Sequence, residues 1–263
     1  MSIEVVSVGV LASNSDGLVD DFYPRKELPN RKHLKLMSRA DRLGIAAIGR
    51  AIGSTKDWAA VPPERRGIFV GTMPEGTEPD SLLAGILAST DASGFSVAAF
   101  GELGVPLVPP LWLVRGLSNN ILGLASSYWD IRGVNGNRCE GRVSGLNAVI
   151  QGIQALQEHR ADIVIAGGAD SLVRFQPQAS HSVGEGAAFV IMRRSESGFG
   201  VDVGSRFDAS EPTREYKTTT PDVGAATGIL GWVLDYQKQG VWNDVTVCGE
   251  DGAVSWLRTI SAS

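Results

Sequence analysis

Residues 137–170 read NRCEGRVSGLNAVIQGIQALQEHRADIVIAGGAD. A polar, glycine-bearing turn feeds a long helix, expected over 143–159, and an apolar strand, DIVIAGG, then ends in two glycines. Such a turn presents its residues at the start of the helix, where backbone N–H groups and the helix dipole favour negative charge. The strand shows little polar alternation, as expected when both faces are covered. That predicts an α/β fold with a mostly parallel sheet and helices on either side.

The same alternation extends outward. IEVVSVGV reads as a first strand, and HLKLMSRADRLGIAAIGRAI as a helix with Leu36, Ala40, Leu43, Ala47 and Ala51 on one stripe opposite basic residues. RRGIFVGT is a short buried strand. PDSLLAGILAST and LSNNILGLASSYWDI read as helices, the second preceded by VPPLWLVRG, whose prolines favour extended backbone. Residues 133–139 are expected to be extended, and GEGAAFVIM is another strand. Beyond Arg194 comes a shorter echo: GVDVGSRF, EYKTTT, a helix VGAATGILGWVLDYQKQG, and strands VTVCGE and AVSWLRTI. No internal repeat or linker stands out. Glycine, 32 of 263 residues, gathers at the ends of apolar runs, as tight strand-to-helix turns require.

Composition narrows the partners. With 24 Lys+Arg against 29 Asp+Glu, no basic field argues for nucleic acid or an anionic membrane. No apolar stretch reaches the roughly 18 residues of a membrane helix, and the N-terminus has no basic leader, so a soluble cytoplasmic protein is expected. Cys139 and Cys248 are too few for a disulfide framework, and His33, His159 and His181 are scattered; no metal or cofactor is expected. GTMPEGTEPD and GEGAA lack a phosphate-loop spacing. HSVGEG sets His181 beside Ser182 and near Glu185, but no G-x-S-x-G elbow supplies a nucleophile.

Five segments in order, LMSRADRLGIAAIGRAI (36–52), LWLVRGLSNNILGLAS (111–126), GVNGNRCEGRVSGLNAVIQGIQAL (133–156), ADIVIAGGADSL (161–172) and GEGAAFVIM (184–192), resemble the β-ketoacyl synthases of the thiolase-like fold. KTTTPDVGAATG (217–228) is a weaker match. The resemblance implies two related α/β halves with mostly parallel mixed sheets and layered helices, and a dimer. Here 1–195 would be the ketosynthase-like N-terminal half and 196–263 a reduced C-terminal half of the same domain.

In active members the turn reads approximately T-A-C-S-S-G, with the cysteine nucleophile at the helix start. The matching letters here are EGRVSG, which puts Arg142 at the nucleophile position. Active members also use two histidines in the C-terminal half. Pro221 and Asp222 stand where one would appear, and the stretch expected to carry the other is absent. The resemblance therefore implies a truncated, non-catalytic subunit similar to chain-length factors. It would pair with an active β-ketoacyl synthase in type II polyketide or fatty-acid-like biosynthesis and support that partner's active site and acyl tunnel.

The vestigial pocket would hold Glu140, Arg142, Ser144 and Lys217, the last matching the family's lysine. A buried arginine needs a partner, and Glu140 or a carboxylate from another subunit are the candidates. Leu111, Trp112, Leu113, Leu117, Ile121 and Leu122 match the region that meets the other subunit and lines the tunnel in relatives, although core packing explains them equally. An acyl carrier protein is a further implied partner, for a basic face of Arg31, Lys32, Lys35, Arg39 and Arg42. Cys139 reads as a small buried apolar side chain. The alternatives left open are an acyltransferase or thioester hydrolase using Cys139, and a homodimeric acyl-ligand-binding protein.

Overall fold

The N-terminal alternation becomes β1 (Ser2–Ala12), and the helix expected from His33 onward is interrupted. Residues Arg31–Leu36 form a 3-10 turn, and α1 (Arg39–Gly53) starts afresh at Ser38. The Ser38 hydroxyl accepts the Asp41 N–H at 3.2 Å while the Asp41 carboxylate accepts the Ser38 N–H at 2.8 Å. This reciprocal cap satisfies two N–H groups that a helix start leaves open, so the helix begins there although the apolar stripe runs past it. Leu43, Ala47 and Ala51 are fully buried, as expected of the stripe.

The computed structural model describes residues 2–14, 16–19, 28, 30–73, 80–173, 182–196, 198–207, 222–248 and 253–260. After β2 (Arg66–Gly71) an excursion leaves the body: α2 (Asp80–Ala88), a small hairpin of β3 (Thr90–Asp91) and β4 (Gly94–Phe95), and α3 (Val97–Ala99), continued by turns Phe100–Gly104 and Val105–Leu107. These elements pack mainly on one another. Their backbones touch where a Cβ on Gly85 would lie 2.8 Å from the Gly104 carbonyl oxygen, and Phe95 meets Phe100 at 5.8 Å between centroids. This arm returns through α4 (Trp112–Arg115) to α5 (Asn120–Tyr128). The extended backbone expected around VPPLWLVRG is thus partly helical. Proline's fixed φ also suits the entry to a helical turn, and the Trp112 N–H donates to the Pro109 carbonyl at 2.9 Å.

Next come β5 (Asn135–Arg138), α6 (Ser144–Gln157), β6 (Ile163–Ser171), β7 (Glu185–Ser195) and β8 (Gly200–Phe207), then α7 (Thr227–Gln239), β9 (Val245–Cys248) and β10 (Ala253–Ile260). The five-stranded sheet is ordered β1-β7-β6-β2-β5. It is mixed: β6, β2 and β5 run parallel, as crossover helices allow, while β7 pairs antiparallel with both β6 and β1. Val164 and Ala166 face the cluster of α6 and α7, and Ile163 and Ile165 face that of α1 and α5. Covering on both faces explains the unbroken apolar run.

The three-stranded antiparallel sheet β8-β10-β9 packs on the α6 and α7 side through Val203, Leu257 and Val247, giving four layers. EYKTTT, His181, Lys217 and Pro221 lie outside the described residues. Among the described residues no helix is long and apolar enough to cross a membrane.

Candidate functional site

Helices α6 and α7 begin with the same local chemistry. Each follows a 3-10 turn, Gly141–Val143 or Gly224–Ala226, opened by a glycine at φ 63° or 54°. The left-handed backbone there strains any residue with a Cβ. Ser144 and Thr227 then repeat one contact, their hydroxyls accepting the N–H four residues back, from Glu140 at 2.7 Å and Val223 at 3.1 Å. Ser144 returns its proton to the Gly141 carbonyl at 2.7 Å, Thr227 to the Asp222 carboxylate at 2.8 Å. The matching letters, GRVSGL and GAATGI, are a short internal repeat that the sequence reading missed. The two starts adjoin: a Cβ on Gly145 would lie 2.5 Å from the Ala225 carbonyl oxygen.

Arg142 projects from the first start to the second. Its Nε donates to Asp222 Oδ2 at 2.8 Å, while Asp222 Oδ1 accepts the Gly224 N–H at 3.0 Å and the Thr227 hydroxyl. The side chains are 27% and 12% exposed, so the pair is largely enclosed. Glu140, the nearer candidate in sequence, instead meets Arg138 at 3.1 Å and Asn147. The carboxylate comes from the same chain, 80 residues further on. By the resemblance above, a nucleophile would stand at 142 and a histidine at 221 or 222; here Arg142 and Asp222 bind each other. Ser144 is fully buried beside them.

Cys139 is exposed, against the expected burial. Strand β5 ends at Arg138 on the sheet edge, so the next residue leaves the core. Its Sγ lies 3.3 Å from Thr72 Oγ1 and 3.3 Å from Asn137 Nδ2, before the turn that opens α6.

The expected basic face also separates. Arg39 is committed to Glu185, its Nε 2.9 Å from Oε2. Burial would push the Glu185 carboxyl up, but the Arg39 guanidinium, the Val19 N–H and the Ser171 hydroxyl outweigh it and hold the group below its ordinary value. Arg42 donates to the Leu34 carbonyl at 3.3 Å. Arg31, Lys32 and Lys35 remain exposed together on the 3-10 turn.

The apolar candidates divide likewise. Ile121 is core; Leu111, Trp112 and Leu122 are half-buried; Leu113 and Leu117 are 70% and 53% exposed. Exposed apolar surface continues over the arm through Leu87, Phe95, Val97 and Leu103. The available signal was charge: residues 81–114 carry only Asp91 and Glu102. Beside the arm's root lies a shallow cleft, open to solvent, lined by Asp41, Thr72, Arg115, Leu117 and Asp170 among others. Among the described residues no three His, Cys, Asp or Glu side chains gather to hold a metal.

No protein-family model matches the chain, and neither does any curated protein. Solved structures do. A type II PKS acyl-carrier protein in complex with its ketosynthase bound to the hexaketide (AntDE:AntF) is similar at TM-score 0.77 and 15% identity, covering 99% of each chain. The ishigamide ketosynthase/chain length factor is similar at TM-score 0.70 and 16% identity, over 99% of this chain and 100% of that one. A beta-ketoacyl synthase from Burkholderia phymatum STM815 is similar at TM-score 0.68 and 13% identity over all of both chains. The chain therefore has the thiolase-like fold of ketosynthases and chain-length factors.

Proposed function

We propose that the chain is a non-catalytic, chain-length-factor-like subunit that pairs with an active β-ketoacyl synthase in type II polyketide or fatty-acid-like biosynthesis. The Arg142–Asp222 ion pair carries this reading. Thioester formation needs a thiolate at the helix start, and a guanidinium is no nucleophile. Asp222 is already engaged by Arg142, Gly224 and Thr227 and does not take the place of a base. The pair fills the vestigial pocket as a plug and ties 1–195 to 196–263 as one domain.

What such a subunit offers its partner is surface. Among the described residues β5 is an edge strand with one side unpaired in the sheet, and edge strands invite pairing by another chain. The arm adds apolar surface of the kind found at interface cores. Pairing there lets the subunit buttress the synthase's loops and close its acyl tunnel from one side. The neighbours that are a ketosynthase/chain length factor and a ketosynthase with its carrier protein support the partner class. Arg31, Lys32 and Lys35 are the charges an acidic acyl carrier protein would meet.

Coexpression with the ketosynthase encoded nearest to it, followed by light scattering and an acyl-extension assay, tests this reading. A 1:1 complex whose condensation requires this chain and survives Cys139→Ala is expected. A stable lone monomer with no bound ketosynthase would overturn it. The exposure of Cys139 supports one second reading, acyl transfer or thioester hydrolysis by that thiol. Intact-mass analysis after exposure to acyl thioesters tests it, and the absence of an adduct on Cys139 excludes it.

A further inference from the structure

The arm returns to the body beside α1, and one buried carboxyl group sits at the join. Asn120, the first residue of α5, donates through Nδ2 to the Leu36 carbonyl at 2.7 Å and to Asp41 Oδ2 at 2.8 Å. The same oxygen accepts the Ser38 N–H. Asp41 is 4% exposed and lines the cleft with Arg115 and Leu117 from the arm's root, Thr72 at the end of β2 and Asp170 at the end of β6. Among the described residues the surrounding charges are Arg42 on its own helix, Arg115 on the arm's root and Asp170 on β6; the Arg39–Glu185 pair lies on α1 and β7. Arg115 is engaged with the Lys35 carbonyl at 3.0 Å, and Asp170 accepts the Ser171 and Ala225 N–H groups.

We propose that Asp41 is a protonation-controlled latch on the arm: with its carboxyl neutral the arm's root stays seated on α1, and with the carboxyl ionised the root lifts and admits water. A carboxylate enclosed by protein loses more in hydration than a few neutral donors return, so the ionised form favours any state that rehydrates it. Burial is the dominant influence on Asp41 and raises its pKa from 3.8 to about 6, against the bonds from Ser38 and Asn120 and the charge of Arg42. In the lifted state the group is hydrated and returns toward its ordinary value. The seated state therefore holds the proton more tightly. Seating is favoured in acid, weakens by about tenfold per pH unit between roughly 4 and 6, and is level above that. This device goes beyond the proposed pairing and needs no partner.

Hydrogen exchange of the full chain tests it. After correction for intrinsic rates, amides of 115–121 are expected to lose roughly 20-fold in protection between pH 4.5 and pH 7. Those of α6 and β6 keep theirs. Asp41→Asn, which retains an acceptor for Ser38 and Asn120, is expected to hold 115–121 at the protected level throughout. The latch is overturned if wild type and Asp41→Asn share one profile, or if α6 and β6 lose protection in parallel with 115–121. Should the variant fail to fold, the wild-type comparison between 115–121 and α6 decides alone.

Discussion

Arg142 and Asp222 form one unit built from residues 80 positions apart. Removing one partner strands the other charge in a largely enclosed place, and losses of 3–5 kcal/mol are typical where enclosure is complete. Arg142→Ala and Asp222→Ala are each expected to lower unfolding free energy by about 2 kcal/mol in denaturant titrations. Asp222→Ala loses more, because Gly224 and Thr227 also lose their acceptor. The double variant falls short of the sum. Thr227→Val leaves the Val223 N–H unpaired and should cost about 1 kcal/mol by the same measurement. The sequence put Arg142 at the helix start but offered Glu140 or another subunit's carboxylate as its partner. Proximity along the chain says nothing about a contact that exists only once two helix starts have docked.

At the scale of elements, strands enclosed on both faces were readable because burial leaves an unbroken apolar run, and β6 and β7 follow the expected segments closely. The break at Ser38 was not read, although Ser38 and Asp41 have the spacing of a capping box. The apolar stripe and the cap gave competing signals, and local hydrogen bonding prevailed. Burial of Cys139 was misread because a sheet's edge strand is set by topology rather than by composition.

Pairing between elements also predicts a pH response. Asp162, just before β6, joins Arg65 before β2 and Arg194 on β7, each at 2.7 Å. The Arg65 bond, followed against modest burial by Arg194, holds its pKa down at about 2, from 3.8. A depressed carboxylate contributes stability above its unfolded value and loses it as pH falls through the folded one. The acid limb of stability between about pH 4 and pH 2 is therefore expected to flatten in Asp162→Asn, followed by circular dichroism.

For the whole molecule, the described residues from Gly200 onward supply α7 and a three-stranded sheet, and that sheet covers the α6 and α7 side. The arm behaves otherwise: its exposed side chains contribute little to the core and much to the outer surface. Leu113→Glu with Leu117→Glu should leave the melting temperature of the lone chain nearly unchanged while weakening assembly with a ketosynthase at least about tenfold, measured by titration calorimetry. An equal loss of melting temperature would assign both leucines to the fold instead.

The joined charges of Arg142 and Asp222 also constrain what can change at the two helix starts. An uncharged residue at 142 alone leaves the aspartate without its guanidinium, and one at 222 alone leaves the guanidinium without its carboxylate. Each single replacement therefore passes through a less stable protein. The two positions can be exchanged at little cost only together, so selection for folding alone is enough to hold them as a pair.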